Sequence, residues 1–299
     1  MLQTVTYENC PACYSNLIEP VLQVKDYTVS NKLFDIWHCK NCTLRFTQNA
    51  PTAGEIGAFY QSNDYISHSD TKQGLVNRLY HTVRNITLVQ KRKLVQQATG
   101  LQKGSLLDIG AGTGAFAHTM QQAGWQVTAL EPDETARKNA EKNYKLQLQL
   151  PEQLYSLQPN SFHAITLWHV LEHVHDLHRY LQTFQQILKG NGTLMIAVPN
   201  YTSFDAGYYK EYWAAYDVPR HLYHFSPESM QQLLQQYGFR IRRMKPMPFD
   251  SFYVSMLSEQ YKNGKNNLLN AFTTGLRSNM KASGNAGKSS SVIYLASKA

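Results

Sequence analysis

Asp108-Ile109-Gly110-Ala111-Gly112-Thr113-Gly114 sets an acid ahead of three glycines at alternate positions. Leu106 and Leu107, just before it, read as a buried parallel strand, and Ala115 to Gln122 reads as the helix that follows. Glycine permits backbone angles and a close approach that a Cβ forbids. A helix N-terminus adds free N–H donors at the same place. The stretch is therefore shaped for a ligand lying against bare backbone.

Val127-Thr128-Ala129-Leu130 is a short apolar run ending in Glu131-Pro132, so Glu131 is expected at the carboxyl tip of the next strand. A carboxylate there can accept from both hydroxyls of a ribose. Gly110, Gly112 and Ala115 also satisfy the dinucleotide fingerprint. Asp108 decides between the two readings. Its carboxylate repels a pyrophosphate, whereas S-adenosylmethionine (SAM) carries an ammonium and a sulfonium and no phosphate.

On these residues the chain resembles the class I SAM-dependent methyltransferases of the small-molecule and polysaccharide-pathway branch. The resemblance runs from about residue 104 to 250 and includes Phe162 to Val174, which looks like the fourth strand and following turn of that superfamily. It implies an α/β fold with a Rossmann-like, seven-stranded, doubly wound sheet and an antiparallel last strand. It also implies a cofactor site at Asp108, Gly110, Ala111, Gly112, Gly114, Glu131 and Pro132, with Trp168 and His169 bordering the methionine part and Glu172 and His173 ordering the turn. The strands expected last are Phe239 to Lys245 and Ser290 to Leu295, with a helical insertion at about 251–281 and a mobile Gly/Ser/Asn loop at Ser283 to Ser291.

All four cysteines fall in the first 42 residues, as Cys10-Pro11-Ala12-Cys13 and Cys39-Lys40-Asn41-Cys42. Two C-x-x-C knuckles 25 residues apart let four thiolates meet around one structural zinc ion. The alternating segment between them resembles a zinc ribbon. The expected organisation is thus a ribbon over 1–50, a helical linker or lid over 51–103, and a catalytic domain over 104–299. Leu75 to Val95 recurs near helical spacing, while Tyr60, Tyr65 and His68 are expected to line a lid or pocket.

With 299 residues and 42% hydrophobic content the chain can bury a large core. Neither a secretory signal nor an apolar run of membrane length is legible, so a cytoplasmic location is the expectation. The net charge of +8 is uneven: residues 240–299 hold ten Lys or Arg against Asp250 and Glu259. The first 239 residues are neutral.

Methyl transfer from a sulfonium is an in-line displacement, and a base is needed only where the nucleophile must lose a proton. The densest run of suitable side chains is Tyr212-Trp213 followed by Asp217 to Ser226. There Arg220 is expected to bind an anionic group, His221 or His224 to act as base beside Tyr223, and Tyr212 and Trp213 to shape the acceptor site. Ser226-Pro227-Glu228 starts a helix. His169 to His173 also fits the H-x-x-E-H zinc signature, but a strand runs into it, which argues against one continuous helix. His175, Asp176 and His178 read as a solvated helix start.

The leading expectation is methyl transfer to a small molecule, such as a sugar, nucleotide-sugar or other phosphorylated metabolite. An RNA methyltransferase that grips nucleic acid through the ribbon is the alternative, disfavoured because Lys25, Lys32, Lys40 and Arg45 are offset by Glu8, Glu19, Asp26 and Asp35. A non-catalytic SAM-binding partner subunit is the third.

Overall fold

The computed structural model describes residues 2–60, 75–265 and 267–299, with side chains from residue 84 onward in the helix that opens the second segment. Tyr65 and His68 lie outside the described residues.

The central sheet is built from β6 (Ser105–Ile109), β7 (Gln126–Leu130), β8 (Phe162–Trp168), β9 (Leu188–Pro199), β11 (Phe239–Pro246) and β12 (Ser291–Lys298). Its order is β11-β12-β9-β8-β6-β7. The pairs among β6, β7, β8 and β9 are parallel; β12 runs antiparallel to both β9 and β11. Successive residues of the parallel strands feed opposite faces. Leu106, Ala164, Met195 and Ala197 pack with Val95 of α1 (Leu75–Thr99) and Phe116 and Met120 of α2 (Ala115–Gln122). Leu107, Ile165, Leu194 and Ile196 pack with Leu181 and Phe184 of α4 (Leu177–Ile187) and Leu233 of α6 (Pro227–Gln236). The sheet is therefore doubly wound.

Among the described residues this sheet has six strands where seven were expected. Beyond α3 (Glu134–Tyr144), the chain meets the free edge of β7 only through Gln149, whose N–H donates to Ala129 and whose carbonyl accepts from Glu131. Pro151, two residues on, opens a 3-10 turn, so the strand expected on this edge is cut to a single bridge.

The amino-terminal strands β2 (Ile18–Lys25), β3 (Leu33–Cys39) and β4 (Arg45–Thr47) form a sheet whose fourth member is β10 (Tyr223–His224) from the other end of the chain. Tyr223 pairs with Phe46 and His224 with Arg45. A further pair, β1 (Thr4–Val5) with β5 (Ala50–Pro51), closes this lobe. His178, expected in solvent, stacks on Tyr14 with centroids 4.6 Å apart and bonds Pro11 O, while His175 bonds Pro51 O. Both histidines fasten the lobe to the domain.

The strongest fastening is ionic. The Arg220 guanidinium, buried, donates to Asp26 Oδ1 (3.1 Å), to Asp217 Oδ1 (2.6 Å) and to Phe59 O (2.9 Å). Asp26 also accepts from the backbone N–H groups of Thr28, Val29 and Ser30. The expected anion-binding role of Arg220 is corrected here: its charge is spent on two carboxylates of its own chain.

The remaining helices are α5 (Phe204–Tyr209), α7 (Pro248–Asn263) and α8 (Leu268–Ala282), the last two forming the expected insertion between β11 and β12. The segment expected to be a mobile loop is held down. Asn200 Nδ2 donates to Gly287 O and Ser289 O, and Ser289 and Ser290 are buried. Among the described residues no helix is long and apolar enough to cross a membrane.

Replacing Arg220 by Met strands Asp26 and Asp217 as unneutralised charges away from water. The expected loss is about 3–5 kcal/mol of unfolding free energy by chemical denaturation, whereas the exposed pair Lys138–Glu134 is screened by solvent and its loss is expected to leave the unfolding midpoint unchanged.

Candidate functional site

The acid and glycine loop lies between β6 and α2, at the carboxyl ends of the parallel strands. Gly110 (φ +66°), Gly112 (φ +54°) and Gly114 (φ +81°) all take left-handed backbone. The three differ in surroundings. A Cβ on Gly110 would fall 2.4 Å from Val170 Cγ2, and one on Gly114 3.0 Å from Ala140, so these two positions hold the loop against the fold. Gly112 has nothing within 4 Å of that point, and a side chain there would fill open space over the loop. The loop thus leaves a cradle of bare backbone with room above it.

Two carboxylates frame it. Glu131, just past β7, is buried and accepts from Gly112 N (2.7 Å) and Asp133 N (2.9 Å), which fixes both oxygens at the lip of the cradle. Burial pushes its carboxyl upward. Asp108 lies beneath the loop, accepting from Thr166 Oγ1 (2.7 Å). Burial drives its pKa up to about 7 against the pull of Thr166 and of the Lys91 ammonium. Lys91, on α1, is held 4.4 Å over the Trp168 ring, and burial lowers its pKa while Asp108 and Asp250 raise it. The motif gave no hint of Lys91, because the helix that carries it precedes the loop.

His169 has left-handed backbone (φ +59°) at the end of β8, and a short 3-10 turn, Leu171–His173, follows. H-x-x-E-H is thus split between a strand end and a turn, which removes the shared helical face a metallopeptidase site requires. The His169 ring lies between carboxylates: Nε2 is 2.9 Å from Asp250 Oδ2 and Nδ1 3.4 Å from Glu172 Oε1. Burial opposes its charge, but Asp250 and Glu172 prevail and raise its pKa to about 10. It is an imidazolium tether between β8 and α7.

A second cluster sits beside this tether. One donor atom each of Glu172, His173 and His221 lie within 4.8 Å of one another, a spacing also open to a divalent ion. His221 Nδ1 is 2.8 Å from Ala215 O and His173 Nδ1 is 3.0 Å from Arg220 O. A carbonyl only accepts, so each Nδ1 carries a proton, and in a neutral ring the lone pair is then on Nε2. Burial, with His221 nearby, lowers the His173 pKa to about 4. Burial works against ionisation of Glu172 as well, yet His169 holds its carboxyl below the usual range. Asp217 Oδ2 stands 3.9 Å from His221 Nε2, and the Tyr60 hydroxyl 3.0 Å from His173 Nδ1.

The other expected residues are placed elsewhere. His224 is buried with Nε2 3.2 Å from Thr47 Oγ1, its ring against Tyr216, and desolvation holds it neutral. Tyr223 is buried beside it. Both expectations are corrected: these side chains join β10 to β4 and do not face the cradle. Ser226 caps α6 in a capping box with Ser229, as its sequence leads one to expect. Trp213 is core, donating Nε1 to Asp205 (2.8 Å), which disposes of it as an acceptor contact. Tyr212 is half-buried, its ring 6.5 Å from Tyr27. Pro132 is exposed at the outer rim.

At the other end, Cys10 Sγ lies 3.5 Å from Cys42 Sγ and Cys13 Sγ 3.6 Å from Cys39 Sγ, with all four sulfurs within 4.8 Å. Tetrahedral thiolates at about 2.3 Å from an ion stand about 3.8 Å apart, so the set fits one metal ion. The knuckles are preformed: Tyr14 and Thr43 take left-handed backbone, and Ala12 N and Asn41 Nδ2 point at Cys10 and Cys13 sulfurs.

A family model described as a methyltransferase domain matches residues 83–243, more than half of the chain. The chain is 33% identical over 118 residues to the ubiquinone biosynthesis O-methyltransferase of Actinobacillus pleuropneumoniae serotype 5b, covering 36% of this chain and 50% of that protein. To the enzyme of the same description from Rickettsia typhi it is 25% identical over 200 residues, 62% of this chain and 80% of that one. A solved SAM-dependent methyltransferase from Archaeoglobus fulgidus shares the fold at a TM-score of 0.50 and 19% identity, over 72% of this chain and 94% of that one. The chain thus spans about half the length of curated relatives such as the Actinobacillus protein.

The contrast between two glycines is measurable. Gly110→Ala, which combines a clash with positive φ, is expected to cost about 2–4 kcal/mol of stability, and Gly112→Ala only about 1 kcal/mol, in denaturant titrations.

Proposed function

The chain belongs to the methyltransferase-domain family, and we propose that it binds SAM on the Gly110–Gly114 loop and transfers the methyl group to a small-molecule acceptor placed beside His221. The observation that carries this reading is the open cradle over Gly112, set between two buried carboxylates. When bound, SAM supplies an electrophilic methyl group on a sulfonium. Glu131 accepts from the ribose hydroxyls through lone pairs its two backbone partners leave free. Asp108, ionised, favours the cationic amino acid end and disfavours a pyrophosphate. Trp168 and the His169 tether close the floor and keep water out.

His221 is the base where the acceptor must lose a proton, taking it at Nε2 while Ala215 O fixes the tautomer. Glu172 steadies the imidazolium that forms. A small-molecule acceptor is favoured by the relatives named for ubiquinone biosynthesis. With Arg220 engaged internally, no described residue singles out a phosphorylated one. The four thiolates hold zinc, whose role is to cross-link two loops of a lobe too small to hold a core alone. That lobe is docked on the domain through β10, which supports a structural part for it over RNA capture.

His221→Ala is expected to lower SAM turnover by about 100-fold or more with SAM affinity little changed; unaltered turnover removes it as base. In the free protein Asp108 keeps its proton to about pH 7, above the unfolded carboxyl, so its ionisation weakens folding as pH rises toward 7. Binding of a cation needs the ionised form. SAM affinity is therefore expected to climb between about pH 6 and 7.5 in calorimetric titrations, and Asp108→Asn to flatten the climb. Protein purified without added metal should contain one zinc per chain, and Cys39→Ser should strip it and lower stability by several kcal/mol.

A further inference from the structure

Helix α8 is built inside out. Its inward face is small and polar: Ala271, Thr274, Gly275, Ser278 and Ala282 are buried, and a Cβ on Gly275 would lie 2.8 Å from Phe252 of α7. Its large apolar side chains face solvent instead, with Leu268 64%, Leu269 75%, Phe272 57%, Leu276 43% and Met280 66% exposed. At 100° per residue these five fall within an arc of about 120°, one continuous stripe. A water-facing helix of a globular domain carries the opposite pattern, and a contiguous apolar patch of this kind marks a surface that meets something.

The charge beside it says what. Arg277 and Lys281 are exposed and lie on the next sector of the same helix, Lys265 stands just ahead of it, and residues 260–299 contain six Lys or Arg and no Asp or Glu. A protein partner could match the stripe alone, but apolar side chains on a helix whose charged residues are all basic suit an interface that is apolar beneath and negatively charged at its surface. We propose that the outward face of α8 seats the protein on an anionic lipid surface, with the stripe entering the acyl boundary and the bases at the headgroups. The helix lies in the plane of that surface and does not cross it. Its neighbour α7 carries Asp250, which holds His169, so the bound face adjoins the helix that walls the candidate site.

The test is flotation of the full chain with vesicles of phosphatidylcholine alone and of phosphatidylcholine with phosphatidylglycerol. The chain is expected to float with the anionic vesicles, at least about tenfold less with the neutral ones, and to be released as salt rises. Leu269→Asp with Phe272→Asp, both at exposed positions, should lower the partition about 100-fold or more. Arg277→Glu with Lys281→Glu should weaken it about tenfold or more. Circular dichroism and an unchanged unfolding midpoint confirm that each variant remains folded. No flotation on anionic vesicles, or flotation that the α8 substitutions leave intact, overturns the proposal. So does a dimer in solution that the Leu269 and Phe272 substitutions convert to monomer, since the stripe would then be covered by a second copy.

Discussion

Burying two carboxylates at the tips of neighbouring strands is the constraint around which this site is arranged. An isolated charge in the interior is expensive, and a protein meets that cost by pairing it, bonding it or letting it take a proton. Glu131 is bonded, by two backbone N–H groups of the loop and the following turn. Asp108 has one hydroxyl and a nearby lysine, and its pKa rises to about 7. At neutral pH it stands near half-ionised, so a cation arriving over the loop gains more there than at an ordinary surface acid. Lys91 fills part of that need from within the chain.

The same logic is answered differently a short way off. Arg220 pairs with Asp26 and Asp217, and His169 with Asp250, while Glu172 stands 3.4 Å from the same ring with neither oxygen hydrogen-bonded. These pairs join the cysteine lobe to the domain and α7 to the sheet. The amino-terminal lobe is therefore part of the wall of the methyltransferase domain, since its sheet is completed by β10 and its Asp26 neutralises the arginine that precedes His221.

What could be read from the chain was what local pattern encodes. The apolar runs at Leu106, Val127, Ala164 and Leu194 each became parallel strands, because a strand buried on both faces leaves a continuous apolar signature. The knuckles and the glycine loop were legible for the same reason: their chemistry sits within a few residues. Gln149 was not, since one backbone bridge followed by a proline has the composition of a loop. Neither were the fates of Arg220 and His224, because Asp26 lies 194 residues from the arginine and Thr47 177 from the histidine, although Asp217, which shares the arginine, is only three residues off. An arginine beside histidines reads as a ligand site until the acid it pairs with is located. His221 lies beside Glu172 and His173, which came from a motif whose metallopeptidase reading the turn geometry removed.

The candidate site is a glycine cradle at the strand tips with a histidine cluster to one side, tied together by imidazolium and guanidinium pairs. Its central claim concerns the sign of charge that the cradle accepts. Calorimetric titration of the folded, metal-replete chain with SAM, its thioether product S-adenosylhomocysteine and a nicotinamide dinucleotide tests that claim most directly. The account expects one saturable site for SAM and its product, lost on Glu131→Ala, and no binding of the dinucleotide; capture of the dinucleotide with no heat from SAM would contradict it.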